Sequence, residues 1–542
     1  VKQAAYSLSC SLMLLAAGCA MLEKGTPSDG KVSAWWAKDP YDSGFPPDAS
    51  PPADARTTLA LKAPGNYLVN AALMVHNPGK AGIFLRPEFS GASLSRCVVK
   101  REAACLRSRG GYNLVADILP ELKPGGALFV PGGETRQLFL EINTDGLKPE
   151  NYRDQLNLVA GDGAIAGRAT LDLTITNLSL PRGPTMDLLV WDCSLRGLKG
   201  KEAVNLAKTL GRAGVNAFHV LENVKIAFDG KGEIVGNPDF ADLDRTLNNV
   251  QPYAEFILLR GCSFFNQSGK ATIPLKAVDG EIAYYSPEWK KALRNYLRAL
   301  SAHLADKGWN KNRWALYPYD EYQGVYYVEF AQAVKSVDPT IMVFANPCSP
   351  VTGGSPGAVV DLADRGLVDI MVPVDTYYRD SEYLKFVPEF RKKPIRQWSY
   401  FCPWPQLGLS PLKQYRMIGW KTFAWNIDGG GYWSATGLDG KGWSGDPWDD
   451  TDGIYPNETT LYISEGNVVE SRRWMGVRAG GRDHALFATA KRLAESLPEN
   501  HQSKAALLKL LDTDVKTVVA NPCPEDMERI TNDIIELTAN VE

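Results

Sequence analysis

From residue 183 onward, short apolar runs alternate with helical patterns, and this rhythm restricts the possible folds more than any other feature of the chain. The runs lie at 186–191, 215–220, 254–259, 313–319, 341–345, 368–374, 395–400 and 421–426. Helical periodicity fills the gaps, as in Lys201–Arg212, Val325–Val337 and 410–417. The clearest start is Ser286-Pro-Glu-Trp289, which supplies a cap, a proline at the first helical position and an early acid, opening a helix to about residue 306. Parallel strands need crossover connections rather than hairpins. Eight such strands in about 280 residues predict a (β/α)8 barrel over 183–483, since a doubly wound sheet would use fewer.

The chain is 542 residues long, too many for one core. Ahead of the barrel, residues 56–182 carry β-runs broken by Gly, Pro and Asn, with clear alternation in Thr170-Leu-Asp-Leu-Thr-Ile-Thr176. A β-sandwich is expected there. Residues 20–55, with Phe45-Pro-Pro-Asp-Ala-Ser-Pro-Pro52, read as a linker. Residues 484–542 read as a short helical C-terminal segment. At the start, Lys2 precedes an apolar stretch ending Leu15-Ala-Ala-Gly-Cys19. It is too short to span a bilayer and matches a signal-peptide core over 1–19, with Cys19 placed for lipidation. This predicts a bacterial cell-envelope protein held by an N-terminal lipid anchor, in the outer membrane if the cell is Gram-negative; a plain secretory signal, giving a periplasmic or secreted protein, is the alternative. Export permits disulfides, and Cys97 with Cys105 is the one close pair. Five histidines without ligand spacing argue against a metal site. No cofactor is expected. The net charge of −3 gives no footprint for nucleic acid.

A barrel keeps its chemistry at the C-terminal ends of its strands. The fourth run, Arg313-Trp-Ala-Leu-Tyr-Pro-Tyr-Asp-Glu-Tyr322, ends in the adjacent carboxylates Asp320 and Glu321. Other strand ends supply Asp192, Glu222, Asn223, Arg260, Cys262, Asn346, Asp375 with Tyr377 and Tyr378, Trp398 with Tyr400, and Asn426 with Asp428. Half of the 14 tryptophans lie between Trp398 and Trp448, among them Trp425 and Trp433. Flat apolar faces beside hydrogen-bonding acids suit a sugar, so the candidate substrate-binding residues are Asp192, Asp375, Tyr377, Trp398, Tyr400, Trp425, Asp428 and Trp433. Glycoside cleavage needs an acid for the leaving oxygen and a second group for the anomeric carbon. The seventh run ends Gln397-Trp-Ser-Tyr-Phe-Cys-Pro403 and offers no carboxylate as nucleophile. The alternative is assistance by the substrate's own 2-acetamido group. Glu321 would then be the acid, Asp320 the partner that orients and charge-stabilises the acetamido nitrogen, and Tyr377 the donor to its oxygen.

Three stretches resemble a known group. The β-sandwich, barrel and strand-four Asp-Glu arrangement is similar to glycoside hydrolase family 123 and the related domain of unknown function 4091 proteins. Gly133-Glu-Thr-Arg-Gln-Leu-Phe-Leu-Glu-Ile-Asn-Thr-Asp-Gly-Leu-Lys-Pro149, with the turn Asn151-Tyr152, resembles their sandwich passage. Ser471-Arg-Arg-Trp-Met-Gly-Val-Arg-Ala-Gly-Gly-Arg-Asp483 resembles their C-terminal signature through Arg473, Trp474, Arg478, Gly480 and Asp483, while Met475 and Ala479 stand where glutamates are usual. The resemblance implies a retaining exo-β-N-acetylhexosaminidase, N-acetylgalactosaminidase-like, with Asp320 and Glu321 in the roles above. Two other readings stay open at this level. One is a glycosidase with Asp375 or Asp428 as second carboxylate, acting on a sugar without an acetamido group. The other is a non-catalytic glycan-binding lipoprotein.

Overall fold

The computed structural model describes residues 32–42, 47–108, 114–191, 195, 198–222, 224–260, 264, 274–349, 353–385, 387–402, 407–436, 448–450, 459–539 and 541. The leader, with Cys19, lies outside the described residues. The chain forms two compact units, Val1–Ala104 with Leu119–Asn177, and Cys105–Ile118 with Leu178–Glu542.

The first unit is a β-sandwich. Its four-stranded sheet runs Ser33–Trp36, Leu68–His76, Thr135–Asn143, Val98–Glu102. Its five-stranded sheet runs Thr58–Gly65, Ile165–Ser179, Asn151–Ala160, Ile83–Phe89, Leu128–Val130. Alternate residues such as Leu156, Leu158, Leu171 and Leu173 are buried, as period-two patterning requires. One expectation needs correction. Ser33–Trp36, read as linker, is an edge strand paired with Leu68–His76, because burying Trp35 and Trp36 outweighs the proline-rich flank. Cys97 and Cys105 are not joined to each other in a disulfide.

The second unit contains a closed barrel of eight strands. They are β1 Asp187–Trp191, β2 Ala217–Val220, β3 Phe256–Leu259, β4 Trp314–Leu316, β5 Met342–Ala345, β6 Ile370–Met371, β7 Arg396–Phe401 and β8 Gly429–Trp433. All neighbours pair in parallel, and β8 closes on β1 in the register Asp187↔Gly429 to Trp191↔Trp433. The connecting helices include α1 Lys201–Arg212, α2 Ala241–Val250, α3 Pro287–Asp306, α4 Val325–Val337, α5 Pro356–Asp364 and α6 Met417–Ala424. The Ser286 hydroxyl caps α3 by accepting from Trp289 N at 3.1 Å. Inside the barrel, Leu189, Trp191, Phe256, Leu258, Tyr317, Phe344, Trp398 and Tyr400 fill the core.

The eighth strand is not where its apolar run predicts. Residues 421–426 belong mostly to α6, and the strand is the glycine-rich segment that follows. Glycine is required at this seam. A Cβ on Gly429 would stand 2.5 Å from Asp187 O, and one on Gly431 would stand 2.3 Å from Leu189 O and 2.9 Å from the Trp191 ring. The closing strand yields its interior volume to neighbouring tryptophans, so its own sequence lacks the apolar signal of a strand.

Helix α7, Arg472–Ser496, runs through the boundary expected at 483 and explains the C-terminal signature as packing. A Cβ on Gly480 would lie 2.4 Å from Arg416 O, so only glycine admits the turn 411–416 at this distance. Asp483, fully buried, accepts from Arg416 Nε at 2.6 Å and Trp420 Nε1 at 2.7 Å. Arg473 forms a buried fork on Asp117, at 3.0 and 2.7 Å. Met475 and Ala479 sit in the apolar interior.

Candidate active site

At the C-terminal end of β4 the chain continues extended through Tyr317, whose amide donates to Leu259 O at 2.9 Å, and then turns at Asp320 and Glu321. Glu321 has φ 53°, the left-handed region that a side chain with a Cβ occupies at a cost of about 1–2 kcal/mol. In an extended strand, adjacent side chains point to opposite faces. The turn instead lets both carboxyls serve one end of the barrel. Asn346, just beyond β5, ties the turn together. Its side-chain oxygen accepts from Glu321 N at 3.1 Å, and its amide nitrogen donates to Asp320 Oδ1 at 2.9 Å.

Asp320 sits among donors. Tyr317 Oη donates to Oδ1 at 2.5 Å and Arg260 Nη2 to Oδ2 at 3.0 Å. Tyr317 in turn receives the Trp191 indole N–H at 3.3 Å, and the Arg260 guanidinium lies over its ring, 5.1 Å from the centroid. Burial pushes the Asp320 carboxyl upward, but Arg260 first, then Tyr317 and Asn346, outweigh it and hold the group below the usual carboxylate range. Asp320 is therefore an anion at neutral pH. His219 of β2 completes the floor, its ring 5.4 Å from that of Tyr317. Burial and the nearby Arg260 push it down to about 3, so it is a neutral imidazole, and neither ring nitrogen has a hydrogen-bond partner among the described residues.

Glu321 is surrounded differently. Its Oε1 accepts the hydroxyl of Tyr400, from β7, and no cation bonds to it among the described residues. Trp433, half-buried at the end of β8, stands beside Trp191 across the barrel seam, and Trp191 lies 5.2 Å from the Tyr400 ring. The result is two neighbouring acids in unlike surroundings, bordered by tryptophans. Such a pair can donate one proton and hold one fixed negative charge.

Residues 265–489 match the family model for the glycoside hydrolase 123 catalytic domain. A family 123 glycoside hydrolase from Clostridium perfringens has the same fold, with a TM-score of 0.70 at 13% identity, covering 94% of this chain and 100% of that one. A family 30 endoxylanase from Clostridium papyrosolvens is far more distant, with a TM-score of 0.36, 12% identity and coverage of 57% and 73%. An endo-β-1,4-mannanase from Thermotoga petrophila is similar in rank, at 0.35, 12%, 56% and 77%. No curated protein matches the chain.

Within this glycoside hydrolase the structure gathers Asp320, Glu321, Tyr400 and Trp433 at one end of the barrel. Asp192 lies outside the described residues. Asp375 and Tyr377 follow β6 at that same end, where Val374 bridges to Tyr400, but their polar groups are engaged, and Trp398, Trp425 and Asp428 lie elsewhere. Tyr377 donates its hydroxyl to Gly354 O at 2.5 Å and is buried, so its proton is committed. Asp375 is paired with Lys421 at 2.6 Å and Arg379 at 3.1 Å. Trp425 ends α6 and stacks on Tyr378 at 4.8 Å. Trp398 is fully buried, with its indole N–H on Asp187 at 3.0 Å. Asp428 precedes β8 and accepts from Gln397 N at 2.7 Å, which puts it with Asp187 at the N-terminal end. Asp428 thus lies at the opposite end from Glu321, and Asp375 is held between two cations. The sequence reading noted Arg260 and Asn346 only as strand ends, and it missed Trp191, His219 and Tyr317 as parts of the site. Tyr317 and His219 alternate with core positions, so their pattern reads as packing; an arginine at the end of β3 was the one usable signal.

Proposed function

We propose that this glycoside hydrolase is a retaining exo-β-N-acetylhexosaminidase, N-acetylgalactosaminidase-like, in which the 2-acetamido group of the substrate is the nucleophile. The carrying observation is the asymmetry of the pair: Asp320 is held ionised by Arg260, Tyr317 and Asn346, while Glu321 meets only a tyrosine hydroxyl. Strand β7 contributes Tyr400 where a two-carboxylate retaining barrel would offer its nucleophile.

Glu321 donates its proton to the glycosidic oxygen as the bond from that oxygen to the anomeric carbon breaks. The acetamido oxygen attacks the same carbon and closes a five-membered ring, whose nitrogen carries positive charge. The Asp320 carboxylate accepts the N–H and balances that charge. Tyr400 takes the place first given to Tyr377 as donor to the acetamido oxygen, turning its hydroxyl from Glu321 to the substrate. Glu321, now a carboxylate, takes a proton from the water that reopens the ring with overall retention. Acid catalysis of this kind contributes about 10²–10⁴-fold.

The Clostridium perfringens protein is described for glycolipid glycan hydrolysis. Glycans of that class are the proposed substrates here, reached by an enzyme anchored to the envelope through Cys19. The test is a panel of 4-nitrophenyl glycosides with and without the 2-acetamido group. Turnover confined to the acetamido sugars, with inhibition by a thiazoline analogue of the cyclised intermediate, is expected. Equal turnover of the 2-hydroxy sugars would overturn substrate assistance. Incorporation of labelled fatty acid that disappears in Cys19→Ala would support the anchor.

A further inference from the structure

We infer that Arg260 is the positioning residue that assigns the two acids their roles, fixing Asp320 as the standing anion and leaving Glu321 as the proton donor. The inference rests on the reading of Asp320 and Glu321 given above and adds the group that makes them unlike. Adjacent carboxylates of nearly equal intrinsic acidity could otherwise share one proton either way, as coupled acids do.

Arg260 is well fixed for this task. Its amide donates to Val220 O at 2.8 Å, continuing the β2–β3 pairing past the end of β3. The guanidinium rests on the Tyr317 ring, which the Trp191 N–H holds from the other side of the barrel. Its side chain is 11% exposed against 40% for Asp320, so the cation approaches the carboxylate from the protein side and leaves the open side to substrate. Among the described residues, the groups bonded to Asp320 or beside it come from several strands. His219 from β2 is neutral, Arg260 from β3 is charged, Tyr317 from β4 and Asn346 from beyond β5 are neutral donors, and Tyr400 from β7 bonds to Glu321. Arg260 is thus the one cation bonded to either acid among the described residues. The neutral donors orient Asp320, but only Arg260 supplies charge.

The experiment measures kcat/KM against pH for the wild type, Arg260→Lys and Arg260→Gln, on whichever aryl glycoside the wild type turns over best. Removing the cation should move the acid limb of the profile up by about 1–3 pH units in Arg260→Gln, the range an adjacent opposite charge commands. The basic limb should stay in place. Arg260→Lys should move the acid limb less, since charge survives without the ring stacking. A loss of activity uniform across pH in both variants would overturn the inference and leave Arg260 a structural residue. A shift of the basic limb alone would also overturn it, by showing that the cation acts on the proton donor. Since the profile is read on any substrate the enzyme accepts, failure of the acetamido requirement and failure of the Arg260 role are separate results.

Discussion

The two ends of the barrel are built from the same residue types and do different things. At the C-terminal end, Asp320 meets Arg260 and, through Tyr317, Trp191. At the N-terminal end, Asp187 meets Trp398 at 3.0 Å and Arg396 at 3.8 Å, with Asp428 and Arg391 close by. An aspartate, an arginine and a tryptophan are present in both. The difference lies in what the carboxylate is asked to be. Burial holds Asp187 above the usual carboxylate range despite Arg396 and Trp398, with Glu255 and Asp428 adding to the upward push. Asp320 is held below it. The N-terminal cluster closes the seam, where Asp187 N donates to Asp428 O at 2.9 Å. Composition alone does not make a site; a stabilised anion beside a second acid at the strand C-termini does.

The largest expected effect is at the C-terminal end. Glu321→Gln should lower kcat on an aryl 2-acetamido glycoside by about 10²–10⁴-fold with the fold intact by circular dichroism. Asp320→Asn should cost about 10²-fold or more, because the amide keeps the shape but carries no charge to balance the cyclised intermediate. A rate within threefold of wild type would remove Asp320 from the mechanism. Changes at the N-terminal end should reverse the pattern. Trp398→Phe should lower stability by about 1–3 kcal/mol in urea unfolding, while kcat per folded molecule stays within about twofold. A selective loss of activity there would break the contrast between the two ends.

The smallest effect tests the sign of the two carboxyl shifts. Asp187 binds its proton more tightly folded than unfolded, so its ionisation lowers stability as pH rises from 3.8 through its folded value, and the penalty persists above. Asp187→Asn should therefore be within about 1 kcal/mol of wild type at neutral pH, with a flatter stability profile in that window. Asp320 is the opposite case. Its contribution is present above 3.8 and is lost as pH falls through its lower folded value. A steeper profile in Asp187→Asn would contradict this assignment.

How much of this was legible beforehand depended on whether a residue's own neighbours carried the signal. Seven strands announced themselves because each buries its own side chains. The eighth did not, because Gly429 and Gly431 make room for Trp191 and Asp187 from the adjoining strand, and the apolar run before it belonged to α6. That displacement carried Trp425 and Asp428 with it, since a strand placed too early moves its rim residues to the wrong end. Trp398 failed for a different reason. It lies two residues before Tyr400 on the same face, and only the register of β7 against β8 places one at the floor and the other at the mouth. Asp320 and Glu321 were legible because two adjacent acids ending an aromatic strand are hard to place otherwise. The groups that separate their roles come from β1, β2, β3, β5 and β7 as well as β4 itself, and no local pattern links them.

The central claim is that the pair at the end of β4 divides the work, with Asp320 as fixed charge and Glu321 as acid, on a sugar that supplies its own nucleophile. The most direct measurement is the release of 4-nitrophenol from 4-nitrophenyl N-acetyl-β-galactosaminide by wild type, Asp320→Asn and Glu321→Gln under identical conditions. The account predicts turnover by the wild type and a loss of at least about 10²-fold in each variant. Undiminished turnover in either variant would contradict it.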